Sequence, residues 1–167
     1  YIELTEPFKV AFAEVTHSVS VLIKIETDEG IDGYGEAAPF APVTGETAEG
    51  TIAVLEMFRP GLIGMNPLDI EKIHAMMDSL IHDNGSAKCA VDIALHDIKG
   101  KVMGQPLYRV LGGYQKVVQN DVTIGISTPE KMAAAAADYV HNQGYRILKI
   151  KAGIDPDEDL RTLSLIR

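Results

Sequence analysis

The sequence contains little that would tie it to a membrane, an oxidising compartment or a nucleic acid. Its single cysteine, Cys89, cannot form an internal disulfide. No apolar run approaches the roughly 18 residues of a membrane span, and no basic-then-apolar signal segment opens the chain. The 15 basic residues are outnumbered by 24 acidic ones and form no cluster, which argues against a nucleic-acid or anionic-membrane surface. We therefore expect a cytoplasmic protein with no nucleic-acid or membrane partner.

What the sequence does contain is a large apolar share arranged with clear periodicities. Hydrophobic residues make up 46% of the chain and aromatic ones only 6%, so a packed core is expected. Residues 19–26 alternate apolar and polar side chains, and residues 31–36 return after a turn, which predicts a β-hairpin. Helical spacing predicts three helices, over 47–58, 66–81 and 86–104. Strands followed by helices without alternation indicate an α+β unit.

Local signals predict where these elements begin and end. Asn66 followed by Pro67 predicts a cap with a first-turn proline, and Ser86 is predicted to cap the third helix. Pro60-Gly61 is expected to stop the first helix. The two prolines within 38–45 predict a loop, and Pro7 predicts a break in any regular strand pairing nearby.

From residue 117 onwards strands and helices alternate. A strand is predicted over 117–126, an alanine-rich helix over 128–142, a second strand over 146–151 and a helix capped by Asp155. This order is typical of a parallel sheet covered by crossover helices. Two such units cannot close a sheet, and a (βα)₈ barrel needs about 250 residues. We therefore expect the sequence to lack a C-terminal portion.

Gly112-Gly113 separates the two patterns and is the natural hinge between them. We predict one domain over residues 1–113 and a second, truncated one over residues 114–167.

The most informative short segment is the second predicted strand of the C-terminal part, because it carries two lysines. Lys149 and Lys151 are two residues apart, so they share one face of the strand while Leu148 and Ile150 occupy the other. In a buried parallel strand, enclosure and the neighbouring cation would both disfavour the ammonium form, so one lysine could act as a general base near neutral pH. The alternative is an exposed edge strand with two solvated lysines.

The order of these elements, together with several motifs, resembles one known superfamily. The motifs are Gly33–Ala37, the run Ser86–Gly113 and the Lys-x-Lys pair. They resemble the enolase superfamily in its muconate-lactonizing subgroup, over essentially the whole chain. The segments Asp121–Ile126 and Val43–Glu46 are most similar to dipeptide epimerases of the L-Ala-D/L-Glu type.

The resemblance implies an α+β capping domain of antiparallel strands and helices, followed by the first βα units of an incomplete TIM-type (β/α) barrel. It also implies Mg²⁺-dependent removal of the proton α to a carboxylate, with the metal stabilising the enolate. Lys151 would be the acid/base on one face of the substrate, and Lys149 would favour its neutral form and help to neutralise the enolate. Two loops and a strand would contact the substrate through Phe8, Phe12, Ala13, Thr44, Gly45 and Thr123.

The chain also departs from the family pattern. The family's three metal carboxylates and its opposing lysine lie on later barrel strands, so we expect no metal ligands in this chain and no turnover by the chain alone. Some L-Ala-Glu epimerases carry an arginine at the position of Ala13, and its absence favours a dipeptide without an acidic side chain. The expected partners are a small-molecule carboxylate and further copies of the protein in a homo-oligomer.

Other interpretations remain open at this stage. The same subgroup contains muconate cycloisomerases, o-succinylbenzoate synthases and N-acylamino acid racemases. A different class of interpretation is a non-catalytic folded fragment.

A few other polar side chains could suggest chemistry. Asp92 and His96 lie one turn apart on a helix and could ligate a metal, but polar surface contacts are the plainer interpretation. His74 and His82 lack carboxylates at ligand spacing and are expected to be solvated. Cys89 lies among alanines and valine and is expected to be a small buried residue.

Overall fold

A computed structural model describes all 167 residues, Tyr1–Arg167. The six strands are β1 (Ile2–Val10), β2 (Ala13–Ser18), β3 (Val21–Glu26), β4 (Asp32–Ala37), β5 (Val122–Ile124) and β6 (Leu148–Ile150). The seven helices are α1 (Ala41–Thr44), α2 (Ala48–Leu62), α3 (Ile70–Leu80), α4 (Gly85–Val102), α5 (Leu107–Val110), α6 (Pro129–His141) and α7 (Pro156–Ile166). None of these helices combines the length and apolar character needed to cross a bilayer.

The chain forms two compact units. One is continuous, from Val19 to Tyr114, and the other combines Tyr1–Ser18 with Gln115–Arg167. The predicted domain division into residues 1–113 and 114–167 stays a prediction. The compact units describe how the chain packs, and they do not test where one domain ends and the next begins.

The continuous unit begins with the predicted hairpin, which is confirmed. β3 pairs with β4 in antiparallel register from Val21 opposite Ala37 to Glu26 opposite Asp32. Alternate residues of β3 are half-buried, while Leu22 on the other face is 76% exposed. The hairpin therefore presents one apolar face to the helices of its unit.

Helix α4 lies directly against β4, and two glycines make this approach possible. A Cβ atom built on Gly33 would lie 2.1 Å from the carbonyl oxygen of Ala94, and one on Gly35 would lie 1.9 Å from that of Ala90. No side chain fits at either distance, so backbone packs on backbone. The six apolar residues predicted to face the core from this helix are all buried: Ala87, Ala90, Val91, Ala94, Leu95 and Ile98.

A carboxylate fastens α4 to the outer edge of β4. Asp97 Oδ2 accepts hydrogen bonds from the Tyr34 backbone N–H (3.0 Å) and from Lys101 Nζ (2.7 Å). Lys101 also donates to the Asp32 carbonyl (2.6 Å) and lies 5.2 Å from the centre of the Tyr34 ring. The hydrogen bond from Lys101 outweighs partial burial and, with the Tyr34 N–H, holds the pKa of Asp97 below its usual range.

Helix α2 runs past the proline that was predicted to stop it. It includes Pro60 and ends at Leu62. Because Pro60 lies in the last turn, its missing N–H removes only one helical hydrogen bond. The buried face of α2 carries Thr51, Val54 and Phe58.

Helix α3 begins later than predicted. Its N-cap position is Asp69 rather than Asn66, because the Asn66 side chain instead accepts a hydrogen bond from the Leu68 N–H (3.0 Å) and closes a turn. The core of the unit joins all three long helices through Val54, Phe58, Ile73, Met77, Ala87, Val91 and Leu95.

The second unit contains an antiparallel hairpin, β1–β2, and a parallel pair, β5–β6. The register of β1–β2 shifts between Glu3 and Phe8, which confirms the predicted irregularity around Pro7. Helices α6 and α7 begin at the predicted caps, where the side chains of Thr128 and Asp155 accept backbone N–H groups.

The parallel strands are much shorter than predicted. Each contains three residues, because the flanking segments have no strand to pair with. Val117 and Val118, for example, are 84% and 79% exposed. The core here is small and joins Ile124, Met132 and Ala136 to Leu148 and Ile150.

Gly35→Ala should lower the free energy of unfolding by about 3 kcal/mol or more, because the new methyl group would overlap a helix carbonyl. The measurement is urea denaturation followed by circular dichroism. Gly50→Ala is the matched control, since a Cβ there would meet only the Thr47 hydroxyl at 3.4 Å, and we expect it to be neutral or stabilising by up to about 1 kcal/mol. Equal effects of the two substitutions would contradict the packing argument.

Asp97→Asn should lower the free energy of unfolding by about 1 kcal/mol at neutral pH. The folded-state pKa lies below the ordinary value of 3.8, so the stabilisation is present above that value and is lost as the pH falls through the folded pKa. The difference between wild type and variant should therefore shrink below about pH 4. Denaturation at several pH values tests this, with the exposed turn residue Asp28→Asn as control. A difference that persists undiminished at about pH 2 would refute the ionic explanation.

Candidate active site

The parallel register of β5 and β6 places three polar side chains on one face of the sheet. Thr123 lies opposite Lys149, and Lys151 follows two residues further along the chain, directly after the end of β6. Ile124 and Ile150 point to the other face, where they join the core formed with α6. The alternation expected from the sequence therefore separates a polar face from the helix-covered one.

The two lysines are more accessible than the sequence suggested. Lys149 is exposed and Lys151 is half-buried, so the expected enclosed interior is not present around them. The reason is that two strands leave both sides of the polar face without neighbours. The backbone beside Lys151 is nevertheless fixed, since its N–H donates to the Ile124 carbonyl (3.0 Å).

The tip of the β1–β2 hairpin lies beside the carboxyl ends of these parallel strands. The Ile126 N–H donates to the Lys9 carbonyl (2.8 Å). A Cβ on Gly125 would lie 3.2 Å from the Phe8 ring, and one on Gly153 would lie 3.7 Å from the Ala11 side chain. The hairpin can therefore lie close to both strand ends, because Gly125 and Gly153 have no side chains in the way.

This arrangement brings several predicted site residues into one region. Phe8 lies beside Gly125, just after β5, while Phe12 lies in the turn of the hairpin and Ala13 begins β2. Phe12 is 66% exposed, so its ring is available to a ligand. The sequence predicted a break around Pro7 but did not predict the pairing of β1 with β2.

Thr44 and Gly45 belong to the other unit, in a segment that was predicted to be a loop. The segment contains the short helix α1, with a proline in its first turn and Gly45 at its end with φ +73°. Glycine adopts this left-handed conformation without strain. The Thr44 hydroxyl accepts from the Phe40 N–H (3.3 Å), so the segment is ordered by its own hydrogen bonds, and both Thr44 and Gly45 are exposed.

His74 of α3 makes a contact that the sequence did not predict, whereas His96 of α4 makes the one-turn contact with Asp92 that its spacing suggested. His74 Nε2 lies 2.8 Å from Asp92 Oδ1, and His96 Nδ1 lies 3.2 Å from the same oxygen. His74 was expected to lack a carboxylate partner, and that expectation was wrong because its partner lies on the neighbouring helix. Cys89 is exposed rather than buried, so it lies outside the core face of α4.

The chain offers no metal centre of its own. No group of three His, Cys, Asp or Glu side chains is placed to hold a metal ion. The residues present therefore do not fit Mg²⁺ without further ligands.

With this geometry in place, comparison with known proteins identifies the family. Residues 2–112 match the family described as mandelate racemase / muconate lactonizing enzyme, N-terminal domain. The chain belongs to this family of the enolase superfamily. Its fold is accordingly an α+β capping domain followed by the first βα units of a (β/α) barrel.

Similar proteins carry epimerase and racemase names. The chain is 42% identical over 166 residues to a hydrophobic dipeptide epimerase of Enterococcus faecalis, covering 99% of this chain and 47% of that protein. It is 40% identical to an N-succinyl-L-Arg/Lys racemase of Bacillus cereus, covering 99% of this chain and 45% of that protein. The chain thus spans about half the length of the curated relatives it matches.

Among solved structures, the chain resembles the dipeptide epimerase of Enterococcus faecalis V583 complexed with Mg and the dipeptide L-Leu-L-Tyr. The TM-score is 0.96 at 42% identity, over 99% of this chain and 47% of that one.

Gly125→Val should weaken the attachment of the hairpin tip, because a side chain would press against the Phe8 ring. Hydrogen–deuterium exchange of the Ile126 amide reports this directly, since that N–H bonds to the Lys9 carbonyl. We expect exchange to accelerate by roughly tenfold or more. The exposed neighbour Ser127→Val is the control and should leave the rate unchanged. An unaltered Ile126 rate in both variants would show that the hairpin does not depend on Gly125.

Proposed function

We propose that the full-length protein is a dipeptide epimerase, which removes the proton α to a carboxylate and returns a proton on the opposite face. The observation that carries the proposal is the polar face formed by Thr123, Lys149 and Lys151 beside the β1–β2 hairpin tip. The Enterococcus faecalis relative, which is named as a dipeptide epimerase, supports the same activity.

In this proposal Lys151 is the base for one face of the substrate. The neutral amine takes the proton from the α carbon and becomes an ammonium group, while the electron pair of the broken C–H bond moves into the carboxylate as an enolate. Lys149, two residues before it on the same face, places a cation near the developing negative charge. Thr123, opposite Lys149 in the register, lies where it can contact the substrate edge. The proton on the other face comes from an acid outside this chain.

The magnesium ion is part of the proposal for the full-length protein only. The similar dipeptide epimerase structure contains Mg, and an α proton next to a carboxylate is so weakly acidic that a metal greatly assists its removal. The ligands would lie outside these 167 residues. The 167-residue chain alone is therefore expected to be inactive.

The residues of the hairpin tip indicate the class of dipeptide. Phe8 and Phe12 are apolar and Ala13 is small, so none of these three residues offers a cation to pair with an acidic side chain. We infer that the substrate is a dipeptide with apolar side chains. Thr44 and Gly45 of the continuous unit would also contact the substrate. We further infer that the protein acts in the cytoplasm as a homo-oligomer.

A second activity is favoured by one relative. The similarity to an N-succinyl-L-Arg/Lys racemase makes racemisation of an N-acylated amino acid the alternative, because it needs the same proton removal on a differently substituted carboxylate. The same lysines would serve both reactions.

The test is deuterium incorporation from D₂O by the full-length protein, with Mg²⁺, on a panel of apolar dipeptides, acidic dipeptides and N-succinyl amino acids. Lys151→Ala should reduce exchange of one enantiomer by at least about 10³-fold, because a general base is lost. Lys131→Ala, on the exposed side of α6, is the matched control and should exchange normally. Wild-type exchange on N-succinyl amino acids alone would replace the epimerase proposal with the racemase. Undiminished exchange by Lys151→Ala would remove the assigned role.

A further inference from the structure

A carboxylate in the continuous unit connects two segments that are far apart in sequence. Glu46, just after α1, accepts hydrogen bonds from the Ser86 backbone N–H (2.9 Å) and from the Ser86 hydroxyl (2.6 Å). Both distances are typical of charge-assisted hydrogen bonds. The segment that carries Thr44 and Gly45 is therefore attached to the amino terminus of α4.

The amino terminus of α4 needs such a partner. Its N-cap residue, Asn84, makes no side-chain hydrogen bond to the first turn, although first-turn N–H groups have no partner within a helix. The sequence predicted Ser86 as the cap, but Ser86 lies inside the first turn. Glu46 therefore supplies from another segment the hydrogen-bond acceptor that a capping side chain normally provides.

The chain just before α4 is held in an uncommon conformation. Asp83 and Asn84 both have positive φ angles, 55° and 56°. Residues other than glycine rarely adopt this region, because the side chain crowds the backbone there. The Lys88 amine donates to the Ile81 carbonyl (2.9 Å) and holds this connection in place. The strained turn therefore fixes the position at which Ser86 meets the carboxylate.

The charge of Glu46 is suited to this place. Partial burial would raise the pKa of its carboxyl group, but the hydrogen bonds from Ser86, with a contribution from Thr44, hold it below the usual range. A negative charge is also favoured at a helix amino terminus by the helix dipole. Glu46 therefore remains a carboxylate at neutral pH, and its attachment is at full strength there.

The segment is also held on its other side. The Thr44 hydroxyl accepts from the Phe40 N–H (3.3 Å) and from the Glu46 N–H (3.4 Å). The Thr47 side chain then caps α2 by accepting from the Gly50 N–H (3.1 Å). Of the side-chain hydrogen bonds in this segment, those of the Glu46 carboxylate reach a distant element.

We propose that Glu46, held by Ser86, is a positioning residue that fixes the segment Ala41–Gly45 and thereby governs substrate affinity. The inference rests on the proposed function, in which Thr44 and Gly45 contact the dipeptide. Because Glu46 acts through the segment rather than on the reacting atoms, it should affect binding and leave the chemical step in place.

The test compares Glu46→Gln, Ser86→Ala and the double variant in the full-length protein. We expect KM for the best dipeptide to rise by about three- to tenfold with kcat changed by less than about twofold, the pattern of lost binding without lost chemistry. The double variant should be no worse than the single ones, because both remove one interaction. Ser86→Thr retains the hydroxyl and should restore KM. Glu49→Gln, an exposed glutamate in the first turn of α2, is the matched control.

Hydrogen–deuterium exchange gives a readout that does not depend on turnover. The amides of Gly45 and Ser86 should exchange faster in Glu46→Gln, with the rest of the core unchanged. Faster exchange there with unaltered KM would overturn the inference and leave the epimerase proposal intact. A fall in kcat at constant KM would overturn it too, since that pattern belongs to the chemical step. If the wild type exchanges no substrate at all, the proposed function fails, and the inference fails with it.

Discussion

The contact of the α4 backbone with β4 is the constraint on which the continuous unit depends. There is no room for a side chain at Gly33 or Gly35. The backbone of the helix therefore packs directly on the backbone of the strand. The same helix is fastened near its end by Asp97 and at its start by Glu46. Because α4 also contributes to the shared core, the positions of α2 and α3 follow from where it lies. The helix is thus the reference element against which the segment after β4 is placed.

The unit that carries the lysines has a shorter sheet and a smaller hydrophobic core than the continuous unit. Its three-residue strands pair in parallel, and its core is a small cluster around Ile124. Such a short ladder cannot enclose polar side chains, which explains why Lys149 is exposed. The glycines at 125 and 153 nevertheless let the hairpin approach closely, so the geometry beside the lysines is defined even where burial is not. The backbone around the two lysines is therefore held in place, although their side chains are not enclosed.

Features of the fold that depend on neighbouring residues could be predicted from the sequence, whereas contacts between segments far apart in the chain could not. The buried face of α4 and the shared face of Lys149 and Lys151 follow from local periodicity, and the pattern predicted both correctly. The end of α2 was missed because one lost hydrogen bond in a last turn costs little. The pairing of Lys9 with Ile126 and the contact of His74 with Asp92 join remote segments, so no local pattern could predict them. The site residues named from the motif resemblance stay a prediction, and their surroundings could be described only once the fold was known.

The exposure of the Phe12 ring has a consequence for how this chain can change over evolutionary time. Phe12 lies at the tip of a hairpin, is 66% exposed, and takes no part in either core. Its replacement therefore carries little penalty in folding, whereas a change at Gly35 would disturb a whole helix. Substitutions can therefore accumulate at the hairpin tip while the packing around Gly35 stays the same. A lineage with this division can vary the hairpin tip without first acquiring surplus stability.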